Sequence, residues 1–459
     1  MSSDWTPPVE TTVTSEQAII RDLGDGLVLR RATPPDREAV ATFHASTLLG
    51  LDETGPLDRL YYWILDLMSG QHPTFQPSDF TLVEELLTGK IVSSVALLSQ
   101  TWTYDGIPFP VGQPDVVSTD PAYRRRGLVR AQFDEIHRWS AARGDLIQGI
   151  TGVPWYYRQF GYEMALSLEA HRTGFRHHVP ILRDGEREIY TFRAATTDDL
   201  PFMMATYELA STRSVIAGLR DEAIWRYDIE GRSAGSGFRS EARIIEAAES
   251  ASHPVGLLIH SRKLWGSGKL GVRFLEVRPG VPLLAVTPSI LRYLDATGAT
   301  YAQRDAEEYG ALSFEVIDTH PLYETVPDRL PQVEMPYAWY IRVPDLPAFM
   351  RQIIPALERQ LAASAQAGYT GELKVSCYRR GLQISFDEGR IAVQDWMSEQ
   401  VEEGDAAFPD LTFLQLLFGF RSLVELRQAF PDCWVANDEA RALLPILFPK
   451  RSSNVWPAG

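Results

Sequence analysis

The sequence predicts a mixed α+β fold with more than one domain, and three patterns carry this prediction. A β-rich run that ends near Thr119 leads through a short loop into the amphipathic segment Gly127 to Arg143, whose apolar residues recur at helical spacing. A second junction of the same kind follows near Arg193. The last part of the chain alternates an amphipathic helix with short strands. Helices and strands that interleave in this way are typical of layered α+β domains.

Length and composition permit several domains and limit the class of partner. The chain has 459 residues, of which 45% are hydrophobic, and this length favours about three domains. Its 44 basic and 60 acidic residues give a formal net charge of −16, which argues against nucleic acid as a partner and favours a cationic one. Only Cys377 and Cys433 occur, without a C-x-x-C, so neither a disulfide framework nor a cysteine-based zinc site is expected.

No part of the sequence resembles a leader or a membrane segment. Residues Met1 to Glu10 lack a basic region followed by an apolar core, and no apolar run reaches the ~18 residues of a membrane span. No His, Asp or Glu cluster has metal-ligand spacing, and His44 and His137 look like ordinary helix residues. We therefore expect a cytoplasmic protein with no membrane partner and no metal.

The stretch from Thr119 to Val129 predicts an anion site at the start of a helix. Gly127 lets the backbone approach a ligand closely, and the first-turn N–H groups, at the positive end of the helix dipole, then face it. A cluster that only decorates a solvated surface is the alternative. The segment is neither a P-loop nor a Rossmann fingerprint. Four arginines surround this glycine: Arg124, Arg125, Arg126 and Arg130.

Two motifs resemble the GCN5-related N-acetyltransferases. The pattern Arg124-x-x-Gly127-x-Val129 after a hydrophobic strand is similar to their pyrophosphate-binding loop, R/Q-x-x-G-x-G/A, although Val129 replaces the small residue. Further along, Tyr157-Arg-Gln-Phe-Gly161-Tyr162 is similar to their Y-x-x-x-G-[FY] element. The predicted order of strand, loop, helix, strand and helix also matches the superfamily core.

A short internal repeat indicates tandem domains. Residues 30–36 read Arg-Arg-Ala-Thr-Pro-Pro-Asp and residues 193–199 read Arg-Ala-Ala-Thr-Thr-Asp-Asp, each between a β-type run and a helical pattern. Coincidental similarity of two strand-to-helix junctions is the alternative. The loop region of the second copy, residues 275–284, has one arginine and no R-x-x-G-x-[GA]. We therefore expect the second copy to have lost the chemistry.

The last segment and the two copies together resemble the Eis-type (enhanced intracellular survival) N-acetyltransferases over nearly the whole chain. The helix at 344–363, the strands after it and two further apolar helices resemble a sterol carrier protein type domain. The resemblance implies a catalytic acetyltransferase domain at 1–165, a degenerate acetyltransferase-like domain at 166–340 and a sterol-carrier-like domain at 341–459. It also implies a homo-oligomer, with a hexamer as the form common among relatives.

Acetyl transfer to an amine requires a base and an acid. The amine must expose its lone pair, and the leaving thiolate, with a parent pKa of ~8.5, must gain a proton. Tyr157 suits the acid, because a phenol of pKa ~10 is protonated at neutral pH; the alternative is a packing tyrosine whose hydroxyl meets a backbone carbonyl. In Eis-type enzymes the terminal carboxylate enters the active site. This implies the α-carboxyl of Gly459 as the base, although that family commonly ends in an aromatic residue.

The resemblance also implies contacts to acetyl-CoA. The side chains of Arg124 and Arg125 would add charge-assisted bonds to the pyrophosphate. The strand backbone at Val117 and Thr119 would bind the pantetheine arm and polarise the acetyl carbonyl. The remaining pyrophosphate contacts would come from backbone N–H groups, those of Arg125, Arg126, Gly127 and Leu128.

Acids and aromatics between the first helix and the second strand predict the acceptor site. We expect Asp52, Glu53 and Trp63 to bind a cationic acceptor, which could be an aminoglycoside, a polyamine or a lysine side chain. The alternative is a solvated helix face with a packed aromatic stripe. Two other functional classes remain open, a non-catalytic acyl-CoA sensor and a lipid-binding protein. The enzyme is favoured, because a sensor would not need Tyr157 and a lipid carrier would not need the arginine loop.

Overall fold

The computed structural model confirms a mixed α+β fold, with three β-sheets in the part of the chain that it describes. The described residues are 19–48, 58–168, 171–249, 253–266, 268–378, 380–397 and 403–456.

The first described region supplies these strands: β1 (Ile19–Gly24), β2 (Leu27–Arg31), β3 (Phe80–Glu85), β4 (Lys90–Tyr104), β5 (Ile107–Thr119), β6 (Ile147–Ile150) and β7 (Glu163–Leu168). Its helices are α1 (Arg37–Thr47), α2 (Asp58–Leu67) and α3 (Leu128–Arg143). Helix α3 follows the sequence prediction closely. Its apolar face is buried, with the side chains of Leu128, Phe133, Ile136 and Trp139.

The second region supplies these strands: β8 (His171–Phe175), β9 (Tyr190–Ala194), β10 (Ile216–Gly218), β11 (Ser240–Ala247), β12 (Pro254–Trp265), β13 (Lys269–Val277), β14 (Ala311–Phe314) and β15 (Gln332–Glu334). Its helices are α4 (Leu200–Ser211), α5 (Glu222–Arg226), α6 (Leu283–Asp305) and α7 (Leu322–Thr325).

The third region supplies these strands: β16 (Tyr337–Arg342), β17 (Gly371–Ser376), β18 (Gly381–Asp387), β19 (Arg390–Trp396), β20 (Ala406–Ala407), β21 (Trp434–Val435) and β22 (Ser453–Asn454). Its helices are α8 (Leu346–Ala362), α9 (Phe413–Leu417), α10 (Leu423–Ala429) and α11 (Asp438–Leu447). None of the helices in the described ranges combines the length and the apolar character that a membrane crossing requires.

The first sheet includes strands from later parts of the chain. The first sheet runs in the order β1-β2-β3-β4-β5-β6-β16-β7, and the second in the order β15-β8-β14-β13-β12-β11-β9. Strand β16 of the third region lies between β6 and β7, and β10 of the second region pairs with β4 and with β22. The first sheet therefore contains strands from all three regions, whereas the seven strands of the second sheet all belong to the second region.

The repeated sequence at 30–36 forms a buried ion cluster beside the start of α1. The guanidinium of Arg30 donates to Asp36 at 2.8 and 2.9 Å and to Glu84 of β3 at 2.6 Å. Asp36 in turn accepts the backbone N–H of Thr33 at 2.7 Å. The cluster fixes the end of β2 against β3 and against the first turn before α1.

The second copy forms the same cluster beside the start of α4. Arg193 donates to Asp199 twice at 2.7 Å and to Glu246 of β11 at 2.8 Å. Asp199 accepts the backbone N–H of Thr196 at 2.9 Å. The sequence repeat is thus matched by a repeated set of contacts.

The third sheet has the order β19-β18-β17-β20-β21 and shares its apolar core with the first sheet. Helix α8 joins the two, because Phe349 packs on Phe109 of β5 at a ring distance of 5.2 Å. The hydroxyl of Tyr104 at the end of β4 donates to the carbonyl of Leu417 at 2.8 Å. This region therefore supports the side of the first sheet remote from α3.

Candidate active site

An opening between β5 and β6 is the central feature of the first sheet. The two strands pair in parallel only at Val111 with Ile147 and at Gly112 with Gln148, whereas β5 continues to Thr119. Beyond Gly112, the β6-facing edge of β5 has no strand partner among the described residues. Its backbone groups can therefore bind an extended ligand.

A β-bulge bends β5 at this opening. Its register against β4 shifts between the pair Ser94 and Ser118 and the pair Ala96 and Asp115. Between them Val116 has a φ of +49°, a left-handed conformation that is strained for a β-branched residue. Bulges of this kind are frequent next to active sites, where they redirect strand groups.

His44, which the sequence presents as an ordinary helix residue, fixes this bulge from α1. It is fully buried, and its Nδ1 and Nε2 lie 2.8 Å from Ser118 Oγ and 3.1 Å from Ser94 Oγ. These serines are the last regular pair before the register shift. Burial lowers the pKa of His44 to about 3, so the imidazole is neutral and acts as a hydrogen-bonding link between the helix and the two strands.

The predicted arginine loop follows β5 and ends at the N-terminus of α3. Gly127 is the N-cap residue with a φ of +76°, and the helix start receives no side-chain hydrogen bond there. A Cβ on Gly127 would meet nothing within 4 Å, so the position requires glycine for its backbone conformation rather than for space. The first-turn N–H groups lack intrahelical acceptors. Leu128 is buried and anchors the helix below the exposed loop.

The positive charge of this loop is not neutralised. Among the described residues, no carboxylate pairs with any of its arginines, Arg124, Arg125, Arg126 or Arg130. Arg124 Nε donates to the carbonyl of Thr119 at 3.4 Å, and Arg130 donates to Gln159 at 2.8 Å. Free cationic side chains beside an uncapped helix N-terminus suit a pyrophosphate. Val117 and Thr119 lie between this loop and the bulge.

Tyr157 follows β6 and is buried, with 4% of its surface exposed. Its ring stacks on Phe133 of α3 at 5.8 Å. In the described part of the chain, no hydrogen-bond partner of its hydroxyl is found, so the backbone-carbonyl contact of a packing tyrosine is not seen. Burial, and next the nearby charge of Asp115, raise the pKa of Tyr157 well above its usual range. The phenol is therefore protonated and has a proton to donate.

Strand β16 holds the segment that carries Tyr157. The hydroxyl of Tyr340 accepts the backbone N–H of Trp155 at 2.7 Å, and the hydroxyl of Tyr337 donates to the carbonyl of Gly152 at 2.7 Å. Tyr162 lies near His137, whose Nε2 is 2.9 Å from its hydroxyl. The tyrosine segment thus depends on a strand that comes from beyond the second sheet.

Asp115 is a functional candidate that the sequence prediction missed. It accepts the backbone N–H of Val116 at 2.7 Å and the side-chain amide of Gln113 at 2.5 Å. Burial raises the pKa of Asp115 to about 6. A signal existed in the sequence, because Asp115 is the one charged residue in the run from Ile107 to Thr119.

The structure describes only some of the residues predicted for the acceptor site and for the base. Asp52, Glu53 and Gly459 lie outside the described residues. Trp63 is 3% exposed and packs on Phe238 at a ring distance of 4.3 Å, so its indole contacts the second region. Nearby, Asp66 accepts the backbone N–H and the hydroxyl of Ser233, both at 3.1 Å. The face of α2 that carries these side chains is thus a contact between the two regions.

The first region matches a known family. Residues 29–165 match the family model described as an acetyltransferase (GNAT) domain. The chain contains a GNAT acetyltransferase domain. The protein is therefore an acyltransferase, and the opening, the arginine loop and Tyr157 all lie within this GNAT domain. No curated protein matches the chain.

Solved structures share the fold of nearly the whole chain. A GCN5-related N-acetyltransferase from Anabaena variabilis is 13% identical with a TM-score of 0.62, and the match covers 94% of this chain and 99% of that one. One from Kribbella flavida is 16% identical with a TM-score of 0.61, covering 94% and 97%. Eis1 from Mycobacterium abscessus is 14% identical with a TM-score of 0.57, covering 93% and 98%. The likeness therefore extends beyond the GNAT domain to the second and third sheets.

Proposed function

We propose that this protein transfers the acetyl group of acetyl-CoA directly to a primary amine at the opening between β5 and β6. The observation that carries the proposal is that two groups available to a ligand follow the two strands at this opening, one after β5 and the other after β6. The cationic loop at 124–127 has no carboxylate partner among the described residues, and the protonated hydroxyl of Tyr157 has no acceptor there. One suits the pyrophosphate of the donor, and the other suits its leaving sulfur.

The donor would lie along β5. The pyrophosphate would accept the backbone N–H groups of residues 125–128 and the side chains of Arg124 and Arg125. The pantetheine arm would bind the free edge of β5 at Val117 and Thr119, where a backbone N–H would polarise the acetyl carbonyl. The bulge at Val116 would turn these groups toward the opening.

In the transfer step, the amine nitrogen forms a bond to the carbonyl carbon and the carbon–sulfur bond breaks. Tyr157 would give its proton to the sulfur as the thiolate leaves. The base must take one proton from the amine. The α-carboxyl of Gly459 stays a proposal from family resemblance, while Asp115 is the second candidate, because its carboxylate lies close enough to raise the pKa of Tyr157.

We propose that the second sheet belongs to a degenerate acetyltransferase-like domain and the third to a sterol-carrier-like domain, as in Eis-type enzymes. We propose the domain boundaries 1–165, 166–340 and 341–459. Strand β16 spans the second boundary and pairs within the first sheet. The repeated clusters at Arg30 and Arg193 support a common origin of the first two domains. A cytoplasmic homo-oligomer, in the form of a hexamer, also stays a proposal from the resemblance.

The acceptor would be a primary amine of an aminoglycoside, a polyamine or a lysine. Asp52 and Glu53 are proposed to attract its cationic groups. The packing of Trp63 on Phe238 supports a role for Trp63 in shaping the wall of the acceptor pocket rather than in touching the amine.

The proposal is tested by measuring thiol release from acetyl-CoA with a panel of aminoglycosides, polyamines and lysine peptides. We expect release that depends on the amine, with an N-acetylated product in the mass spectrum. Tight CoA binding without turnover across the panel would instead indicate an acyl-CoA sensor. A copurified lipid together with no CoA binding would indicate a lipid carrier.

A further inference from the structure

A cavity of about 280 Å³ lies on the face of the second sheet that α4 and α5 cover. Its apolar wall includes Met203, Trp225 and Trp456. The chain has a formal net charge of −16, but this wall is cationic. It contains two carboxylates, those of Asp228 and Glu241, and four guanidinium groups. These belong to Arg220, Arg232, Arg239 and Arg273.

Several buried N–H donors in this wall have no acceptor. Arg232 is 8% exposed, and within the described residues its Nη1 has no hydrogen-bond partner. The same holds for Nε of Arg220 and for the indole N–H of Trp225, which is 1% exposed. Buried donors are nearly always paired, since an unpaired one loses its hydration without compensation. All three are donors, so the missing partner is an acceptor.

The carboxylates of the wall do not supply that partner. Asp228 is shared between Arg220 and Arg232, at 2.8 Å from Arg232 Nη2. Glu241 pairs with Arg243 at 2.9 Å and with Arg262 at 2.8 Å, both outside the cavity wall.

The other two guanidinium groups of the wall lack carboxylate partners in the described ranges. Arg239 donates to the backbone carbonyl of Arg232 at 3.1 Å, and Arg273 lies 5.9 Å from the ring centre of Phe238. Burial lowers the pKa of Arg220 to about 10. The cavity therefore holds more cationic charge than its own acids balance, and an anion would stabilise it.

A second cavity of about 160 Å³ adjoins this one and is lined in part by the GNAT domain. It shares Arg220, Arg232 and Trp456 with the first cavity, and its wall includes Gln100 of β4. The side-chain amide of Gln100 donates to Gln113, which donates to Asp115 at 2.5 Å. Two side-chain hydrogen bonds thus connect the wall of the second cavity to the carboxylate at the β-bulge.

We propose that the two adjoining cavities bind the acceptor, and that this acceptor carries a carboxylate or phosphate group in addition to its amine. The anionic group pairs with Arg232, Arg220 and Arg273, while the amine extends past Gln100 toward the opening between β5 and β6. This inference rests on the proposed transfer to an amine and narrows its acceptor class. It favours an amino-acid-like acceptor over a polyamine or an aminoglycoside, which carry cationic groups alone.

The test uses 6-aminohexanoate and its uncharged amide, 6-aminohexanamide, which differ in the anionic charge alone. Isothermal titration in the presence of CoA measures binding of each compound independently of turnover. We expect the carboxylate to bind about tenfold to a hundredfold more tightly than the amide, the usual range for a charge-assisted contact. O-phosphoethanolamine and ethanolamine form the matched pair for a phosphate.

Variants at the cavity wall locate the effect. Arg232→Gln and the less buried Arg273→Gln should bring the ratio of the two affinities close to one. Arg226→Gln, in α5 but paired with Glu222 away from the cavity wall, should leave the ratio unchanged. If Arg232→Gln fails to fold in a thermal melt, Arg273→Gln carries the test.

Equal affinities for the carboxylate and the amide, and likewise for the phosphate pair, in the unaltered protein would overturn the inference. A preference for the anion that persists in both wall variants would overturn it as well. Charge-dependent binding without acetylation of any amine would contradict the proposed function instead and leave the anion site standing.

Discussion

The first and second sheets follow the same order of elements and differ at the point where two parallel strands meet. In each, a strand, a short turn and two helices precede a three-stranded antiparallel run, a long helix and a parallel strand, and the second region adds β10 between its two helices. In each, an arginine binds one carboxylate before the first helix and another in the next strand. The framework is therefore repeated, whereas the surroundings of the strand opening differ.

The parallel strands separate after two residue pairs in the first sheet and after four in the second. Beyond its last pair at Val272, strand β13 continues to Val277, and His320 is bound there, with its Nε2 2.9 Å from the carbonyl of Leu275. The arginine loop that precedes α3 has no carboxylate partner among the described residues. The loop that precedes α6 contains one arginine, Arg278, which donates to the carbonyl of Pro254 at 3.3 Å. The ligand site thus depends on a strand edge left open beside a free arginine loop, whereas in the second sheet His320 binds a carbonyl of the extended strand and the described residues there form no such loop.

A tyrosine follows the parallel strand in both regions, but the two hydroxyls differ in their contacts. Tyr157 has no hydrogen-bond partner among the described residues, whereas Tyr323 donates to the carbonyl of Phe314 at 2.9 Å. The same position can therefore serve chemistry or packing, depending on whether the hydroxyl is already used.

The largest expected effect separates these two tyrosines. Tyr157→Phe should lower kcat by about 10²- to 10⁴-fold, because it removes the proton donor to the leaving sulfur. Tyr323→Phe should keep kcat and lower the free energy of unfolding by about 1 kcal/mol, the contribution of one hydrogen bond. Steady-state kinetics and thermal melts measure the two effects, with Tyr156→Phe as a neighbouring control. Full activity of Tyr157→Phe would contradict its role as the acid.

The next effect concerns the bulge, which carries Asp115. A base works only when deprotonated, so a pKa raised to about 6 predicts that kcat/KM falls as the pH decreases through about 6. Asp115→Asn should lower kcat/KM and remove this acid limb. If deletion of residues 457–459 abolishes the limb and Asp115→Asn does not, the terminal carboxylate is the base.

The repeated ion clusters should differ in strength because they differ in burial. The side chain of Arg30 is 6% exposed and that of Arg193 is 41% exposed. Arg30→Met should lower the free energy of unfolding by about 3 kcal/mol, since it leaves Asp36 and Glu84 without their partner. Arg193→Met should cost less than about 1 kcal/mol. Urea titrations measure both, and equal losses would show that burial does not set the difference.

Two glycines in left-handed conformations provide the smallest contrast. Gly127 has a φ of +76° and Gly280 has a φ of +88°, and a methyl group added at either position would meet open space. Each Gly→Ala change should cost about 1 kcal/mol of backbone strain. Only Gly127→Ala should also weaken CoA binding, by a few-fold, because it disturbs the N–H groups at the helix start. Equal CoA affinities in the two variants would show that the loop backbone does not bind the donor.

The sequence predicted the parts of the site that are local in the chain. The loop at 124–127, helix α3 and the repeat at 193–199 all depend on neighbouring residues, whose spacing is visible in the sequence. The pairing of β16 with β6 is not visible in the sequence, because the whole second region lies between these two strands. The contact between Asp66 and Ser233 is not visible either, because the two residues are far apart in the sequence and no periodic pattern indicates it. The cavity lined by Arg220 and Arg232 depends on burial and on unpaired donors, which appear only when the elements are packed.

The most direct test of the central claim is a calorimetric titration of the whole protein with CoA. We expect one CoA to bind per chain. Binding should be about tenfold to a hundredfold weaker in the double variant Arg124→Ala/Arg125→Ala and unchanged in Arg278→Ala. Two molecules of CoA per chain, or affinity that survives the loss of both loop arginines, would contradict the claim that only the first sheet binds the acetyl donor.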